Sequence, residues 1–385
     1  MATIAPLDRL ALESALEPFG SSTTLPGAAY TSPEVFAWEM EHFFQAGWVC
    51  VGRASDLHPG SRRAVPVGGE GILLTRDDSG MLRGFFNVCR HRGHELLPLG
   101  GSAEGRLVQC PYHGWTYQED GRLKSAPRLG PRPGFTADDH GLVPVAVEEW
   151  RGWIFANVTG GAPSVPEYVG DLESLVRPHD PGGLVVGARM EYVASANWKL
   201  LVENYHECYH CTQIHPELCL VTPPTSGANY RPSGLWVGGV MDLMEHAQTM
   251  SLTGASPAPP LPGLDEGQRR HVYYLALFPN LLLSLHPDYV LSHRLEPIAP
   301  DRTRVECELL WPPEVIGQAG FDPSYALEFW DITNKQDWHA CESVQRGVSS
   351  RAYQPGPIAR PEDAVYQFVT MVASAYLDGE VKPPR

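Results

Sequence analysis

The chain has no apolar run long enough to cross a membrane, since a spanning helix needs about 18 or more consecutive apolar residues. The stretch from Met1 to Gly20 also lacks the basic start and the apolar centre of a secretory signal. Asp8, Arg9 and Glu13 are scattered through it instead. We therefore expect a cytoplasmic protein with no membrane partner.

Basic residues are also scarce: 29 Lys and Arg stand against 45 Asp and Glu, which leaves a formal net charge of −16. An acidic surface repels polyanions, so nucleic acid is not an expected partner. The same charge permits a cationic substrate, although solubility alone explains it more simply. With 43% hydrophobic and 19% charged residues, the composition indicates a globular protein rather than a disordered one.

The eight cysteines do not form the closely spaced framework of a small secreted protein, so we expect them to be reduced thiols. Cys208 and Cys211 form a Cys-x-x-Cys pair, which is compatible with a redox or a metal-binding role. However, Glu207, His210 and His215 lie in the same segment as this pair and are the better candidates for metal ligands.

Two short motifs, Cys89-Arg90-His91 and Cys110-Pro111-Tyr112-His113, each combine a thiol with an imidazole. Two thiolates on one iron and two imidazoles on the other are the ligands of a Rieske [2Fe–2S] cluster. Replacing thiolate by imidazole raises the potential of the cluster and suits it to carrying single electrons. The alternative is a structural zinc site, for which the single residue between Cys89 and His91 is an unusual spacing.

Residues 48–158 alternate short apolar runs with turn sequences, which is the pattern of a small all-β domain. Both cysteine–histidine motifs follow strand-like runs and so fall on loops between strands. A Pro- and Gly-rich stretch, residues 160–166, marks the end of this domain. The predicted strands include Gly71–Arg76, Met81–Val88, Arg106–Cys110, Gly114–Gln118 and Trp150–Val158.

The remainder of the chain predicts an α+β domain with an antiparallel sheet and flanking helices. Near the N-terminus, a helix is predicted from Pro33 to about Ala46, with Ser32 as its cap. The Pro-rich segment 241–270 is either an active-site lid or an inert insertion. The predicted strands are Leu184–Val193, Val272–Phe278, Leu281–Leu285, Val290–Pro297 and Thr303–Trp311, and the predicted helices are Asn197–Gln213, Ser324–Val348 and Pro361–Asp378.

The first helix of this domain carries a second group of metal-binding residues. Glu207 and His210 are three residues apart and should share one helix face. His215 follows His210 by five residues, a spacing that turns it about 140° away on a regular helix. Because Pro216 disfavours helical geometry at His215, the helix should fray there and let the two imidazoles meet.

Two imidazoles and one carboxylate form the facial triad of mononuclear iron(II) oxygenases, which leaves positions open for O2 and substrate. Glu207, Asp331 and Asp337 are the candidate carboxylates, and composition alone does not separate them. Two hydrogen-bonded core histidines are the alternative explanation for the imidazoles.

Taken together, the motifs resemble those of the catalytic α subunit of Rieske non-haem iron oxygenases, over essentially the whole chain. The cluster motifs, Asn197-Trp198-Lys199 and the Glu207-x-x-His210-x-x-x-x-His215 motif occur in the order typical of that family. The resemblance implies a helical segment 1–47 that packs on the catalytic domain, an all-β Rieske domain 48–160 and a helix-grip catalytic domain 161–385.

By the same resemblance, Asp337 stands where the family has its third iron ligand. Glu207 stands where a carboxylate connects the cluster of one subunit to the iron-binding histidine of the next, in a ring of three subunits. An ordinary ion pair is the alternative role for that carboxylate. The implied site residues are Cys89, His91, Cys110 and His113 for the cluster, His210, His215 and Asp337 for the iron, and Glu207 and Asn204 for catalysis.

Glu207 also indicates which branch of the family the chain resembles, because ring-hydroxylating members usually have Asp at that position. Residues 203–211 and Phe278-Pro279-Asn280 resemble the glycine betaine, stachydrine and carnitine oxygenases, in which Cys208 and Cys211 would be framework residues. The resemblance implies an O2-dependent monooxygenase that hydroxylates or N-demethylates a small quaternary ammonium compound. An aromatic-ring-hydroxylating dioxygenase is the alternative, since it would use the same metal ligands.

The cofactors implied are a Rieske [2Fe–2S] cluster, a mononuclear Fe(II) and O2 as co-substrate. Electrons would come from NAD(P)H through a separate flavin and iron–sulfur reductase. Arg90, Arg92 and His94 around the cluster offer it a docking surface, unless they are generic surface charge. A Rieske electron carrier would need only the first domain, and a respiratory Rieske subunit would carry a membrane anchor and a further cysteine pair.

A quaternary ammonium group forms no conventional hydrogen bond and is held against aromatic faces by cation–π contact. Most large aromatic residues belong to the core, so only two or three candidates should touch substrate. His286 and Arg294 are the candidates for binding a substrate carboxylate. The aromatic candidates are Tyr205, Trp236, Tyr273, Tyr274, Phe278, Tyr289 and Trp330.

Overall fold

The computed structural model describes residues 4–384, which divide into two compact units. One unit consists of residues 43–165, and the other combines the chain up to His42 with the chain from Pro166 onward. Among the helices of the described residues, none has both the length and the apolar character needed to cross a membrane.

The unit of residues 43–165 is built from antiparallel strands, which confirms the all-β prediction for this part. Its strands are β1 Val49–Arg53, β2 Ser61–Val67, β3 Glu70–Arg76, β4 Leu82–Phe86, β5 Ser102–Glu104, β6 Leu107–Gln109, β7 Thr116–Gln118, β8 Leu123–Ser125, β9 Pro144–Trp150 and β10 Trp153–Asn157. Seven strands form one sheet in the order β1-β10-β9-β4-β3-β2-β5, and three form a smaller sheet in the order β6-β7-β8.

The other unit combines helices with a second antiparallel sheet, which confirms the α+β prediction. Its strands are β11 Val185–Ala194, β12 Ala228–Asn229, β13 Trp236–Asp242, β14 His271–Leu277, β15 Leu281–Leu285, β16 Val290–Ala299 and β17 Arg302–Trp311. They form one sheet in the order β11-β17-β16-β15-β14-β13-β12. The α-helices of the chain are α1 Arg9–Ala15, α2 Ala28–Thr31, α3 Pro33–Glu39, α4 Val165–Val169, α5 Leu172–Val176, α6 Trp198–Tyr205, α7 Cys211–Ile214, α8 Pro216–Val221, α9 Pro313–Ile316, α10 Ser324–Val348 and α11 Asp363–Asp378.

The predicted N-terminal helix begins where its capping residues indicate. Ser32 Oγ accepts a hydrogen bond from the Val35 N–H at 3.2 Å, and Pro33 occupies the first turn, where no N–H is needed. After α3 the helix continues as a π-helical turn, Met40–Gln45, so its end agrees with the prediction.

A buried ion pair attaches α3 to α6. Lys199 Nζ lies 2.6 Å from Glu39 Oε1, and both side chains are fully buried. The Trp198 Nε1–H donates to Glu39 Oε2 at 2.8 Å, and the Tyr376 hydroxyl also donates to Glu39. Because losing either charge would leave the other buried and unpaired, this contact fixes the start of α6, the helix that leads into the site.

The Pro-rich segment 241–270 is anchored to the domain. Buried Asp288 accepts hydrogen bonds from Thr249 Oγ1 and Ser256 Oγ, both at 2.5 Å, and from the Tyr325 hydroxyl at 2.7 Å. Burial raises the pKa of Asp288 to about 6 despite these donors. The contacts favour a packed insertion over a lid that opens and closes.

Strand β13 is absent from the predicted strands because Gly238 and Gly239 interrupt its apolar pattern. Gly238 has φ +144°, and a Cβ on it would lie 2.1 Å from the carbonyl oxygen of Tyr274 on β14. The glycine therefore permits the close pairing of β13 with β14, the strand that carries Tyr274.

Candidate active site

The two cysteine–histidine motifs lie on loops of matching geometry, the first after β4 and the second after β6. In each loop the cysteine N–H donates to the carbonyl five residues later at 2.8 Å, and its own carbonyl accepts from a glycine N–H at 3.0 Å. These glycines are Gly93 and Gly114, which both have φ +73°. The repeated turn holds Cys89 and Cys110 in equivalent positions.

The thiols and imidazoles of these loops lie at different depths. Cys89 and Cys110 are each 2% exposed, whereas His91 and His113 are exposed, with ring centroids 4.8 Å apart. Both thiols are free, and burial raises the pKa of the Cys89 thiol. Two buried sulfurs behind two outer imidazoles fit a [2Fe–2S] cluster with one sulfur-bound and one imidazole-bound iron.

Tyr117, on β7, lies beside the first sulfur. Its hydroxyl is 3.3 Å from Cys89 Sγ and accepts a hydrogen bond from the Arg90 N–H at 3.0 Å. Burial and the contact with Cys89 raise the pKa of Tyr117, so its hydroxyl stays protonated and can donate to the sulfur. Hydrogen bonds of this kind help to set the potential of an iron–sulfur cluster.

His210, His215 and Asp337 form a second group of potential metal ligands. His210 Nε2 lies 3.2 Å from His215 Nε2 and 3.5 Å from Asp337 Oδ1, and His215 Nε2 lies 2.8 Å from the same oxygen. One ligand atom from each residue lies within 4.8 Å of the others. Two imidazole nitrogens and a carboxylate oxygen in this arrangement suit Fe(II) with open coordination positions.

Both imidazoles are oriented by contacts at their other ring nitrogen. His210 Nδ1 lies 2.5 Å from Glu207 Oε1, and His215 Nδ1 lies 2.7 Å from Gln336 Oε1. The Gln336 amide donates in turn to Glu217 Oε2 at 3.2 Å. With a proton on each Nδ1, each Nε2 presents a lone pair to the site, which is what a metal ligand requires.

Asp337, on α10, is the candidate carboxylate that meets both imidazoles. Burial alone would raise its pKa, but the two imidazoles beside its carboxylate hold the pKa of Asp337 below its usual value. Asp331 on the same helix is engaged elsewhere, by the Tyr192 hydroxyl at 2.8 Å and by Lys335 Nζ at 2.6 Å. Glu207, the third candidate, contacts the far side of one imidazole instead.

The backbone around Glu207 differs from the predicted continuous helix. α6 ends at Tyr205, α7 begins at Cys211, and residues 206–210 between them are not helical. The prediction that Glu207 and His210 share one helix face is therefore wrong. Instead the Glu207 carboxylate contacts His210 twice. Its Oε2 accepts from the His210 N–H at 3.1 Å, and its Oε1 lies beside Nδ1 of the His210 ring.

Cys208 and Cys211 are joined by a disulfide, so the expectation of reduced thiols is wrong for this pair. The other six cysteines are free. At the far end of α7, His215 has a non-helical φ of −121°, in agreement with the effect expected of Pro216. The break after α6 and the fray after α7 together bring the two imidazoles side by side.

A cavity of about 890 Å³ adjoins this group, and all three of its members line it. The ring centroids of Tyr205 and Tyr274 are 5.8 Å apart, and those of Tyr274 and Trp330 are 6.5 Å apart. The Tyr274 hydroxyl is buried without a hydrogen-bond partner within residues 4–384. Burial and the nearby charge of Asp337 raise the pKa of Tyr274, so its hydroxyl remains available to donate to a ligand.

The charged lining of the cavity is mostly acidic. Glu207, Asp337 and Asp363 contribute carboxylates, and Arg360 contributes one guanidinium. Asn204, predicted as a catalytic residue, also lines the cavity. Such a lining favours a positively charged ligand over an anion.

Only part of the predicted substrate set reaches this cavity. Tyr205, Tyr274 and Trp330 line it. Successive residues of a strand point to opposite faces of the sheet, so Tyr273 faces away where Tyr274 faces the cavity. The candidates outside the lining are Trp236, Tyr273, Phe278, His286, Tyr289 and Arg294.

The two candidates for a carboxylate-binding role have other surroundings. His286 is fully buried and stacks on Tyr289 at a centroid distance of 4.1 Å. Burial lowers the pKa of His286 well below its usual value, so its ring is neutral. Arg294 is paired with Glu306 at 2.8 Å. Neither one offers a positive charge to the cavity.

Three further lining residues, Thr333, Asn334 and Trp338, are not among the sequence candidates. They belong to α10, as Trp330 and Asp337 do. Trp330, Thr333, Asn334 and Asp337 follow the three- and four-residue spacing of one helix face. Helical periodicity counted back from Asp337 would have identified most of this wall.

Two family models match the chain in the order of its two units. The Rieske [2Fe-2S] domain matches residues 47–146. The catalytic domain described as the ring hydroxylating alpha subunit matches residues 182–378. The first match covers both cysteine–histidine loops, and the second covers His210, His215 and Asp337.

Curated relatives match over most of the chain. The glycine betaine monooxygenase oxygenase subunit of Chromohalobacter salexigens is 31% identical, over 92% of this chain and 86% of its own length. The carnitine monooxygenase oxygenase subunit of Escherichia coli strain K12 is 30% identical, over 86% of each chain.

Solved structures match over nearly the full length. A quaternary ammonium Rieske monooxygenase superimposes with a TM-score of 0.81 at 26% identity, covering 97% of this chain and 100% of that one. Naphthalene 1,2-dioxygenase from Rhodococcus sp. superimposes with a TM-score of 0.75 at 21% identity, covering 96% and 98%. The second likeness is one of fold alone.

Proposed function

This chain belongs to the α subunits of the Rieske non-haem iron oxygenases, and we propose that its substrate is a small quaternary ammonium compound of the betaine class. Its cofactors are a Rieske [2Fe–2S] cluster and a mononuclear iron, and O2 is its co-substrate. Subunits of this family take electrons from a separate reductase, which we infer to be NAD(P)H-linked. The observation that carries the substrate class is an acidic cavity walled by three aromatic rings beside the metal-binding residues.

A quaternary ammonium group matches this wall because it offers no N–H and is attracted to aromatic faces. The carboxylates of Glu207 and Asp337 add a favourable field for a cation. The Tyr274 hydroxyl and the Arg360 guanidinium remain for a substrate carboxylate. Relatives named for glycine betaine and for carnitine support the same substrate class.

The proposed reaction is oxidative N-demethylation. His210, His215 and Asp337 would hold the iron, which when bound activates O2 with electrons delivered by the cluster. Hydroxylation of one N-methyl group consumes O2, two electrons and two protons and releases water. The hydroxymethyl product then loses formaldehyde and a proton, leaving the demethylated amine. The aromatic wall orients the methyl groups.

We infer that the subunits form a ring of three, in which electrons pass from the cluster of one chain to the iron of the next. The exposed imidazoles of His91 and His113 are suited to such a contact. Glu207 is suited to receive it, because its side chain remains 13% exposed while Oε1 contacts His210. A carboxylate that accepts hydrogen bonds from His210 and from a cluster histidine of the next subunit would fix the tautomers of both.

The experiment that tests this function is a substrate screen with a reconstituted reductase. NADH consumption and formaldehyde would be followed together for glycine betaine, proline betaine, carnitine and a panel of arenes. We expect formaldehyde in proportion to NADH with at least one betaine. Coupled turnover of arenes to diols, with none of the betaines consumed, would instead establish the aromatic dioxygenase.

Substitutions at Tyr274 should separate its ring from its hydroxyl. Tetramethylammonium, which has no carboxylate, serves as a competitive probe. We expect Tyr274→Phe to bind it as the wild type does, since the ring is kept. Tyr274→Leu should weaken binding about tenfold, which corresponds to the loss of a cation–π contact of roughly 1.4 kcal/mol. Inhibition constants against the accepted substrate provide the measurement.

The matched control is Tyr273→Leu, a change of the same kind on the opposite face of β14. It should leave the inhibition constant for tetramethylammonium within about twofold of wild type, because the buried Tyr273 ring lies outside the lining of the cavity. If Tyr274→Leu binds tetramethylammonium as tightly as the wild type does, the aromatic wall does not support a quaternary ammonium substrate.

Removing the Tyr117 hydroxyl should lower the reduction potential of the cluster. Tyr117→Phe deletes the hydroxyl that lies 3.3 Å from Cys89 Sγ and that accepts from the Arg90 N–H at 3.0 Å, while it keeps the ring. A hydrogen bond of about 1 kcal/mol corresponds to roughly 40 mV for one electron. A redox titration followed by electron paramagnetic resonance measures the shift. Tyr112→Phe, at a half-exposed ring on the second loop, is the control and should leave the potential unchanged.

A further inference from the structure

The Cys208–Cys211 disulfide lies within the metal-binding loop and has no part in the reaction described above. The disulfide joins two cysteines that are three residues apart in sequence, and the ring that it closes contains Tyr209 and His210. Glu207 immediately precedes it. One iron ligand and the carboxylate that orients that ligand are thus attached directly to the disulfide.

Besides the disulfide, few contacts hold the backbone that leads up to His210. The His210 carbonyl accepts from the Gln213 and Ile214 N–H groups at the start of α7, but residues 206–209 before it lie outside α6 and α7. The hydrogen bonds on that side run from the His210 N–H to Glu207 Oε2 at 3.1 Å, from the Cys211 N–H to the Cys208 carbonyl at 3.2 Å and from the His206 N–H to the Glu203 carbonyl at 3.2 Å. A disulfide across so short a loop constrains few conformations of the unfolded chain, so its effect is mainly local.

The sulfurs of this pair are accessible from one side. Both cysteines line the cavity. Cys211 is 4% exposed, Cys208 is half-buried, and Tyr209 between them is 63% exposed. A small thiol can therefore approach Cys208, whereas the cluster thiols are each only 2% exposed.

We propose that Cys208–Cys211 is a thiol-exchange site, reduced by a dithiol and reoxidised by the corresponding disulfide, whose state governs how firmly the mononuclear iron is held. A thiolate of the dithiol attacks Cys208 Sγ; the Cys208–Cys211 bond breaks, and Cys211 leaves as a thiolate and takes up a proton. The second thiol of the reagent then displaces Cys208. Two electrons and two protons pass to the pair, and the dithiol becomes a disulfide.

Reduction releases the ring around His210, which weakens the hold on one of the three iron ligands and on Glu207. Loss of the groups that orient a metal ligand lowers metal affinity about 10- to 100-fold. This inference rests on the proposed function in taking His210 as an iron ligand, but it requires no substrate. Its test can therefore fail, or succeed, independently of betaine turnover.

The test uses the full-length holoenzyme under anaerobic conditions with mixtures of reduced and oxidised dithiothreitol. Acid quenching, alkylation and mass spectrometry report the state of the pair, and a ferrous chelator reports the rate of iron release. We expect the pair to be reduced within this range and iron release to rise about tenfold. The content of the cluster, measured as acid-labile sulfide in the desalted protein, should not change, which distinguishes the effect from general loss of metal.

Two variants exclude chelation by the reagent as the cause. Cys208→Ser/Cys211→Ser should release iron quickly at every dithiothreitol ratio. Cys219→Ser should respond as wild type does, because Cys219 is a free thiol outside the disulfide although its Sγ lies 3.5 Å from the Cys211 carbonyl. The proposal is overturned if the pair stays oxidised in excess dithiothreitol or never forms a disulfide. Equal rates of iron release from the two states would overturn it as well, as would a double variant that still responds to the reagent.

Discussion

Asp337→Ala is expected to lose the mononuclear iron and all turnover while keeping the Rieske cluster. Among residues 4–384, the substitution removes the only carboxylate within 3.5 Å of both imidazoles, and two imidazoles alone hold Fe(II) weakly. Iron should fall from about three to about two atoms per chain, the cluster accounting for the remainder. Metal analysis and the cluster absorption spectrum measure the two centres separately.

Asp331→Ala is the matched control, since it removes a second carboxylate from the same helix. Asp331 is bound to Tyr192 and Lys335 rather than to the imidazoles, so its removal should leave the iron content unchanged. The cost to stability should be about 1 kcal/mol or less for these partly exposed contacts. Iron loss from Asp331→Ala, with full retention in Asp337→Ala, would show that the carboxylate has been misassigned.

Much of the fold could be predicted because local signals agreed with the tertiary structure. α10 occupies the predicted range Ser324–Val348, and β15 occupies the predicted Leu281–Leu285. Both are regular elements with continuous patterns and clear boundaries. β13 was not predicted because its two glycines are typical of a loop. The close approach of β14 is the reason for a glycine in this strand, and the sequence does not report it.

The candidate metal ligands could be located from sequence, but the shape of their loop could not. Glu207 and His210 have the spacing of one helix face, which favours a helix through both. The structure breaks the helix at Tyr205 because the Glu207 carboxylate caps the His210 N–H and the Cys208–Cys211 disulfide closes the turn. Both interactions join residues three apart, and the same spacing also fits one face of a regular helix, so residue spacing does not report them.

The cavity wall was the least predictable part of the site. Tyr273 and Tyr274 are identical residues at adjacent positions, and only the sheet face decides which of them meets the cavity. Apolar composition on both faces of β14 hides that distinction. The face of α10 that contains Asp337 was predictable in principle, because helix periodicity links Trp330 and Asn334 to that carboxylate.

Glu207→Gln is expected to retain both metal centres and to reduce turnover about 100-fold. The amide keeps the size of the side chain and can still accept from the His210 N–H, so the loop of residues 206–210 should hold its shape. It lacks the negative charge that contacts His210 Nδ1 at 2.5 Å and that would meet a cluster histidine of the next subunit. The step affected should be electron transfer to the iron rather than binding of substrate.

Reoxidation of the reduced cluster, followed by stopped-flow absorption after mixing with O2 and substrate, measures that step directly. Glu207→Gln should slow it in parallel with turnover, while substrate affinity and iron content stay near wild type. Glu207→Asp restores the carboxylate at a shorter reach and should recover part of the rate, which a purely structural role of the side chain would not predict. Wild-type reoxidation and coupling in Glu207→Gln would show that the electrons take another route. If both variants reoxidise slowly and also lose iron, the role of Glu207 is only to position His210.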